Sequence, residues 1–385
     1  MREPYDVVLL YAPPWAGPTR FSKHHLARLF AEHGHRVLYV EAPLTPLGLR
    51  RGRAFVDEMR QTLWPPRPVS DRLWVRRHFL PLPYHALTPA TASREANRIG
   101  QRLLAPVLRR DVRRLGYDRP LLIAGLPHAV DILPFLPRRC LAYHCSDDFS
   151  SVRGFPSTLP ELEAELCVRA DVVIATSQTL AEARRRFNPR TYWVPNGADV
   201  SHFSGPASPN AKLEALPRPV IGFVGGLSQW VDLDLVAFLA RERRAWSFVL
   251  IGPASIPTDV VKDQPNVHLI GPRPYGALPS YLAAMAIGLI PFRKEPVTYH
   301  ADPIKAYEYL AAGLPVVATD LPALRRLSHV VRLADSPSSF LSELDAAVAE
   351  GRDARVADRR AEASKHGWDA RFADLKRLIE QTCAS

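Results

Sequence analysis

Short apolar runs alternate with helix-forming segments along the whole chain, and this alternation constrains the fold more than any other feature. The first two runs lie at residues 7–11 and 36–41, with an amphipathic helical pattern over residues 22–33 between them. Parallel strands need a crossover of a dozen or more residues, usually a helix, so this order indicates a parallel sheet. Later runs lie at residues 121–124, 140–144, 172–175, 220–224, 247–251, 287–291 and 315–318. We therefore expect an α/β protein.

The length of the chain indicates two domains. At 385 residues and 47% hydrophobic composition, it is too long for one ordinary core. Residues 204–218 are rich in Pro, Ser, Ala and Gly and show no apolar periodicity, which is typical of a linker. We expect an N-terminal domain over 1–203, a C-terminal domain over 219–365 and an amphipathic helix over 366–385 that packs back toward the N-terminal domain. Both domains should be doubly wound and Rossmann-like and face a central cleft, with ligands at the carboxyl ends of the strands.

Positive charge is concentrated in the first half of the chain. Of a net charge of +11, residues 1–200 carry 29 Lys and Arg against 19 acidic residues, whereas residues 201–385 carry 21 against 20. Residues 50–114 alone hold 15 Arg, including Arg76 and Arg77, and 5 acidic side chains. This segment is either a solvated surface of an Arg-rich chain or a surface for anionic lipid, which attracts basic residues. No nucleic-acid-binding motif accompanies the charge, so we expect no nucleic acid partner.

Apolar length and cysteine spacing indicate the compartment. The first apolar run is shorter than a signal-peptide core, and the longest, residues 281–292, falls short of the roughly 20 residues of a membrane-spanning helix. Cys140, Cys145, Cys167 and Cys383 are irregularly spaced, which predicts neither a zinc site nor a disulfide framework. We expect a cytoplasmic protein, peripheral at the inner face of the cell membrane.

The segment from His300 to Thr319 is the most informative motif. Asp302 followed by Pro303 predicts a helix with Asp302 as its N-cap and Pro303 as its first residue. The free N–H groups of such a helix start are a natural diphosphate site, to which Lys305 would add a positive charge. Glu308, one turn further on, could accept both hydroxyls of a ribose. The alternative is an ordinary capped helix with an exposed Lys–Glu pair.

The run from Asp302 to Val317 resembles the donor-site signature of GT-B glycosyltransferases of bacterial cell-surface polysaccharide biosynthesis, particularly the TuaH-like teichuronic acid proteins. Shorter similar runs lie at residues 170–177, 194–199, 223–226 and 278–282. The resemblance implies transfer of a hexosyl group from a nucleotide-sugar, UDP-sugar favoured and GDP-sugar possible, to a hydroxyl of a lipid-linked or surface-glycan acceptor. It implies donor binding by Gly225, Gly226, Pro303, Ile304, Lys305 and Glu308. No metal or other cofactor is expected, because such enzymes stabilise the leaving diphosphate with helix dipoles and cations.

There is one departure from the retaining members of this superfamily, the absence of their usual phosphate clamp, and an inverting reaction is favoured. His300 stands where those enzymes usually have a Glu, and no cation follows the Gly-Gly turn. Residues 143–147 and 301–313 instead resemble the xanthan glucuronosyltransferase GumK, an inverting enzyme. That resemblance implies Asp147 as the general base and Phe292 as an aromatic side chain beside the donor. From its position after a strand, Asp147 could be either such a base or a turn-forming cap.

Two other functions remain open. One is a non-transferring GT-B relative, such as a UDP-sugar 2-epimerase. The other is a catalytically inactive GT-B module that binds glycan or acts as a scaffold. The presence of Lys305 and Glu308 argues against an inactive module, because both would contact the nucleotide.

Overall fold

The computed structural model describes residues 3–17, 19–82 and 93–383. The chain divides into two compact units. Unit 1 comprises Met1–Val194 together with Phe372–Ser385, and unit 2 comprises Pro195–Arg371. Each unit contains one mainly parallel sheet with helices packed on it. The predicted α/β class with two Rossmann-like domains is therefore confirmed.

Unit 1 contains eight described strands and five described helices before residue 195. Strands β1 to β8 are Asp6–Ala12, Arg36–Glu41, Arg67–Ser70, Leu73–Arg76, Leu121–Ala124, Cys140–Cys145, Val172–Ala175 and Thr191–Trp193. Helices α1 to α5 are Ser22–Glu32, Arg53–Gln61, Arg94–Arg114, Leu159–Arg169 and Gln178–Arg185. Strands β3 and β4 were not predicted. For β3 the reason is that all four of its residues are exposed and one of them is Pro68.

The sheet of unit 1 has the order β3-β4-β2-β1-β5-β6-β7-β8. Neighbouring strands are parallel except for the antiparallel pair β3 and β4. Residues 7–10 of β1 are at most 1% exposed, as expected for a strand with both faces covered. Strand β1 has β2 on one side and β5 on the other, so the strand order reverses there. The carboxyl ends of β1 and β5 thus form a topological switch point, the usual position of a ligand site in an open α/β sheet.

Unit 2 contains six described strands, all in parallel pairs. Strands β9 to β14 are Val220–Val224, Ser247–Ile251, Val267–Leu269, Ile287–Ile290, Val316–Thr319 and Val331–Ala334. Helices α6 to α14 are Val200–Ser204, Ala211–Glu214, Leu233–Glu242, Asp259–Lys262, Leu278–Ala284, Pro296–Tyr299, Ile304–Ala311, Pro337–Glu350 and Val356–Ser364, and α15 is Trp368–Cys383.

The sheet of unit 2 has the order β11-β10-β9-β12-β13-β14. One hydrophobic cluster combines alternate residues of β9 and β10 with helices α10 and α12. A second cluster combines the other residues of those strands with α8 and α13. Both faces of the sheet are therefore covered. Its switch point lies at the carboxyl ends of β9 and β12, where the strand order reverses.

The observed unit boundary differs from the predicted one. Unit 1 ends after Val194, upstream of the expected boundary at 203/204, and residues 204–218 belong to unit 2 rather than forming a linker. The predicted linker contains α7, whose Leu213 is 1% exposed within the core of unit 2. Asn210 caps this helix and its N–H donates to the Ser280 carbonyl oxygen (2.9 Å). The buried Leu213 and the capping residue Asn210 thus hold residues 204–218 in unit 2, although their composition is typical of a loop.

The C-terminal helix is fixed within unit 1 by two contacts. From Phe372 onward, α15 belongs to unit 1, and Phe372 packs edge-on against Phe30 with a ring separation of 4.8 Å. Cys383 forms a disulfide with Cys140 at the start of β6, with a Cα–Cα distance of 5.7 Å. The sequence predicted no disulfide, because a spacing of 243 residues gives no local signal.

Candidate functional site

Gly225 and Gly226 follow β9 at the switch point of unit 2. The Gly225 N–H donates to the Ile251 carbonyl oxygen (2.9 Å), which joins the turn to the end of β10. A Cβ atom at Gly252 would overlap the Gly225 carbonyl group. Because these glycines have no side chains, the turns after β9 and β10 can approach closely. No side chain of Gly225 or Gly226 occupies the space beside the turn after β9.

Helix α12 lies against the same edge of the sheet. The hydroxyl group of Tyr309 accepts a hydrogen bond from the Val224 N–H (2.8 Å), the last N–H of β9. The Tyr309 ring also packs on Gly288 of β12, where a Cβ atom would overlap it. Tyr309 thus links α12 to both strands of the switch point, so the helix is held beside Gly225.

The start of α12 corrects the prediction for Asp302. The helix begins at Ile304, with Pro303 in the N-cap position, and Asp302 does not cap it. The buried Asp302 carboxylate instead accepts hydrogen bonds from the Asn196 N–H (2.7 Å) and the Tyr307 hydroxyl group (2.6 Å). The Asn196 side-chain amide donates in return to the Asp302 carbonyl oxygen (2.8 Å). Burial raises the pKa of Asp302, which these contacts partly offset.

Sequence reasoning missed the role of Asn196. The sequence showed only that residues 194–199 are similar to a run in GT-B proteins, and it predicted no function for Asn196. In the structure Asn196 ties the loop after β8 to the start of α12. A Cβ atom at Gly197 would lie 2.5 Å from the His366 carbonyl oxygen, so this position requires glycine. The signal in the sequence is the Pro-Asn-Gly turn, but only the fold identifies its partner.

Lys305 and Glu308 form a pair on the first turns of α12. The distance from Lys305 Nζ to Glu308 Oε2 is 2.6 Å, and the side chains are 16% and 3% exposed. The pair is therefore largely buried, unlike the exposed pair of the alternative interpretation. A nucleotide that contacts both side chains would have to share or break this hydrogen bond.

Phe292 lies beyond the carboxyl end of β12. Its N–H donates to the Thr319 hydroxyl oxygen (2.9 Å), and its half-buried ring lies edge-on to Phe223 at 6.2 Å. The next residue, Arg293, donates its N–H to the Trp230 carbonyl oxygen (2.8 Å). The Arg293 side chain pairs with Asp232 (3.2 Å) and Asp234 (2.6 Å), so these aspartates neutralise its charge.

Asp147 lies in unit 1, in the loop after β6. Its neighbour Asp148 accepts hydrogen bonds from the hydroxyl groups of Ser150 (2.7 Å) and Ser151 (2.6 Å) and pairs with Arg184 (3.2 Å). Asp148 therefore has the turn-forming role that the sequence had left open for Asp147. Asp147 is half-buried, and burial raises its pKa.

Two groups oppose that rise in the pKa of Asp147. The positive charge of Lys23 lowers it, as does a hydrogen bond from Ser146, whereas the negative charge of Asp148 raises it. Lys23 follows the first residue of α1, so it comes from a different part of the chain. Its contribution was not predicted from the sequence.

The basic segment 50–114 does not form one exposed surface. Arg76 is 3% exposed and donates to the Asp111 carboxylate (2.7 Å). Arg77 is also largely buried and pairs with Glu58 (2.8 Å). Both arginines therefore neutralise carboxylates inside unit 1, and the charge count overstated the positive surface.

An exposed apolar feature follows α2. Leu63 and Trp64 are 81% and 70% exposed. Arg53, Arg60 and Arg67 nearby are exposed as well. Two large exposed apolar side chains and exposed cations therefore lie in one stretch of the chain.

Two kinds of feature are absent from residues 3–17, 19–82 and 93–383. Within these ranges no group of three or more His, Cys, Asp or Glu side chains could hold a metal ion. No helix in the described part of the chain is long and apolar enough to cross a membrane.

Comparison with known proteins identifies the domain that holds the α12 site. Residues 218–349, which include all six strands of unit 2, match the family described as glycosyl transferases group 1. Unit 2 therefore carries a glycosyl transferases group 1 domain. Its match contains Gly225, Gly226, Phe292 and the whole of α12.

Similarity to one curated protein extends beyond the group 1 domain. The chain is 26% identical over 257 residues to TuaH of Bacillus subtilis (strain 168), described as a teichuronic acid biosynthesis glycosyltransferase. The aligned region is 60% of this chain and 65% of TuaH. The resemblance to TuaH-like proteins stated from the sequence is thus confirmed.

Solved structures show the fold of the whole chain. Sucrose-phosphate synthase from Thermosynechococcus elongatus superimposes with a TM-score of 0.74 at 17% identity, over 100% of both chains. HepE of Anabaena in complex with UDP gives 0.67 at 17% identity, over 98% and 100%. Trehalose-6-phosphate from E. coli bound with UDP-2-fluoro glucose gives 0.69 at 15% identity, over 97% and 99%. The group 1 domain is therefore part of a GT-B fold.

The structure gathers the donor-site residues predicted from the sequence on one domain. Gly225, Gly226 and Phe292 follow the two switch-point strands of the group 1 domain. The helix that carries Lys305 and Glu308 is bonded to the same edge through its Tyr309 hydroxyl group. Asp147 lies on unit 1, in the loop after β6.

Proposed function

We propose that the protein is a glycosyltransferase that moves a sugar from a nucleoside diphosphate donor, with UDP favoured over GDP, to a hydroxyl of a lipid-linked or surface-glycan acceptor. The observation that carries this proposal is the switch-point edge of the group 1 domain, where a glycine turn, an aromatic ring and the Lys305–Glu308 pair meet. Structural neighbours that contain UDP or a UDP-sugar analogue support a uridine nucleotide.

The donor would use these groups according to their chemistry. The Lys305 ammonium group and the free N–H groups at the start of α12 would neutralise the diphosphate, as helix N-termini do for anions. Glu308 would accept the ribose hydroxyls, and Phe292 would line the nucleotide. Cationic and dipolar stabilisation of the leaving diphosphate needs no metal, so we propose a metal-independent transfer.

Asp147 would act on the acceptor. As the acceptor oxygen bonds to the anomeric carbon, the bond from that carbon to the diphosphate breaks and the hydroxyl proton passes to the Asp147 carboxylate. The stereochemical outcome is then inversion. A structural neighbour, a trehalose-6-phosphate synthase studied for glycosyl transfer with retention, represents the opposite outcome on this fold. The anomeric configuration of the product, read by proton NMR, distinguishes the two.

The acceptor side would be peripheral to the cytoplasmic face of the membrane. Leu63 and Trp64 would enter the interfacial layer while nearby arginines contact anionic headgroups. This placement gives unit 1 access to a lipid-linked acceptor.

Titration calorimetry with UDP and GDP, followed by a screen of UDP- and GDP-sugars for slow hydrolysis, tests the proposal. We expect UDP to bind and at least one UDP-sugar to be hydrolysed with release of UDP. Failure of both nucleotides to bind would refute it. Conversion of the sugar without release of UDP would indicate an epimerase, and binding without any turnover would indicate an inactive module.

A further inference from the structure

Lys23 is a buried cation at the switch point of unit 1. Its residue is 4% exposed, although lysine is almost never fully buried unless it is paired. Its Nζ donates to the Ser146 hydroxyl oxygen at 2.9 Å. That hydrogen bond goes to a hydroxyl group rather than to a carboxylate. Ordinary ion pairing therefore does not explain why the charge lies there.

The backbone around Lys23 leaves space for its side chain. Gly125 follows β5, and a Cβ atom there would lie 2.6 Å from Lys23 Cε and 3.0 Å from the Leu10 and Tyr11 carbonyl oxygens. The Gly125 N–H donates to the Leu10 oxygen (2.8 Å), which holds the glycine at the end of β1. Glycine at this position is thus required for the lysine to reach the loop after β6.

Ser146 connects Lys23 to Asp147. Its hydroxyl oxygen accepts from Lys23, and it is the residue directly before Asp147 in the loop after β6. The Ser146 carbonyl oxygen accepts from the Thr176 hydroxyl group (2.9 Å), which fixes the loop to the end of β7. Lys23 is therefore hydrogen-bonded to the residue next to Asp147, in a loop that is fixed at the carboxyl ends of adjacent strands.

The surrounding ionisable groups leave Lys23 as the cation that acts on Asp147. Asp148 is paired with Arg184 of α5. Burial lowers the pKa of His144 and lowers that of His24 to about 4, so both imidazoles are neutral near pH 7. Burial raises the pKa of the Cys145 thiol, which stays protonated. Burial also lowers the pKa of Lys23 to about 8, a shift that the Asp147 charge opposes.

We propose that Lys23 is a positioning residue for Asp147: through Ser146 it orients the carboxylate, and its charge keeps that carboxylate ionised. The inference rests on the proposed function, in which ionised Asp147 takes the acceptor proton. Without Lys23 the half-buried carboxylate would hold a proton at higher pH and could not accept another. Its role does not require contact with either substrate.

The test compares Lys23→Met, which keeps the length of the side chain and removes its charge, with Lys376→Met in the same unit. Lys376 pairs with Glu380 (2.7 Å) on α15 and serves as the control. The titration of Asp147 is followed by carbon-13 NMR of proteins labelled at aspartate Cγ, with Asp147→Asn to assign the signal. We expect its midpoint to rise by one pH unit or more in Lys23→Met and to stay unchanged in Lys376→Met. The acid limb of the pH profile of kcat should shift to higher pH together with this midpoint. The KM for the donor should stay within twofold.

Ser146→Ala provides a second measurement, which also serves if Lys23→Met fails to fold. It removes the connecting hydroxyl group and retains the cation, so a smaller rise in the Asp147 midpoint is expected. An unchanged midpoint in Lys23→Met, or in Ser146→Ala where Lys23→Met does not fold, would overturn the proposal. Because the titration needs no turnover, it decides the role of Lys23 even if the protein transfers no sugar.

Discussion

The Lys305–Glu308 pair permits a sharp test of the donor site, because each side chain would contact a different part of the nucleotide. In Lys305→Met the charge-assisted contact to the diphosphate is lost, which is worth about 1.5–3 kcal/mol and corresponds to a rise in Kd for UDP of about tenfold to hundredfold. Lys305 and Glu308 form an ion pair at 2.6 Å. Since binding must share or break that bond, we expect the lower end of this range.

Glu308→Gln should act on a different part of the ligand. It removes a charged acceptor from the ribose, so UDP and UMP should both bind more weakly, by about tenfold. It also releases Lys305 from its partner, so inorganic diphosphate should bind at least as tightly as it does to the unmodified protein. Lys305→Met, in contrast, should weaken diphosphate and UDP together.

Titration calorimetry with UDP, UMP and inorganic diphosphate measures all three affinities. Lys262→Met is the matched control, because Lys262 and Asp259 form an i, i+3 pair in the same unit but lie exposed, at 56% and 78% of their side chains. Circular dichroism should show intact secondary structure. Lys305→Met should unfold at a lower temperature than Glu308→Gln, since it leaves a buried carboxylate without its cation. Unchanged affinity for UDP in both variants, or an equal loss in Lys262→Met, would refute the assignment.

Three further predictions concern unit 1. Asp147→Asn should lower kcat by about 10²–10⁴-fold with donor affinity nearly unchanged, and near-normal turnover or a product with retained configuration would contradict its role as base. Binding to anionic vesicles should fall with salt and drop in a Leu63→Ser, Trp64→Ser variant, whereas equal binding to neutral vesicles would show that the basic segment is only a solvated surface. Thiol titration of the unfolded, unreduced protein should count two free thiols and, after reduction, four, because Cys140 and Cys383 are paired. Four thiols before reduction would contradict the pairing.

Local patterns were sufficient to predict the fold class and the position of α12. Buried parallel strands that are continuous apolar runs can be recognised from neighbouring residues alone, whereas β4 and β14, each of which includes an arginine, were not predicted. The segment that carries Lys305 and Glu308 forms a helix because its sequence favours one, and its similarity to TuaH-like proteins is contained in consecutive residues. The predicted helix start was wrong by one residue, because the Asp302 carboxylate accepts hydrogen bonds from Asn196 and Tyr307 instead of capping the helix.

Partners distant in sequence were decided by the tertiary structure. Asp302 binds Asn196, 106 positions away, and Lys23 reaches Ser146, 123 positions away. The disulfide joins residues 243 positions apart, and the predicted linker folds into unit 2 through Leu213. The composition of residues 50–114 predicted that Arg76 lies at the surface, whereas in the structure Arg76 is buried and pairs with Asp111. Short-range patterns depend on the periodicity of one helix or strand, and the sequence displays that periodicity directly. The charge and exposure of a side chain depend instead on which distant segments the fold places beside it.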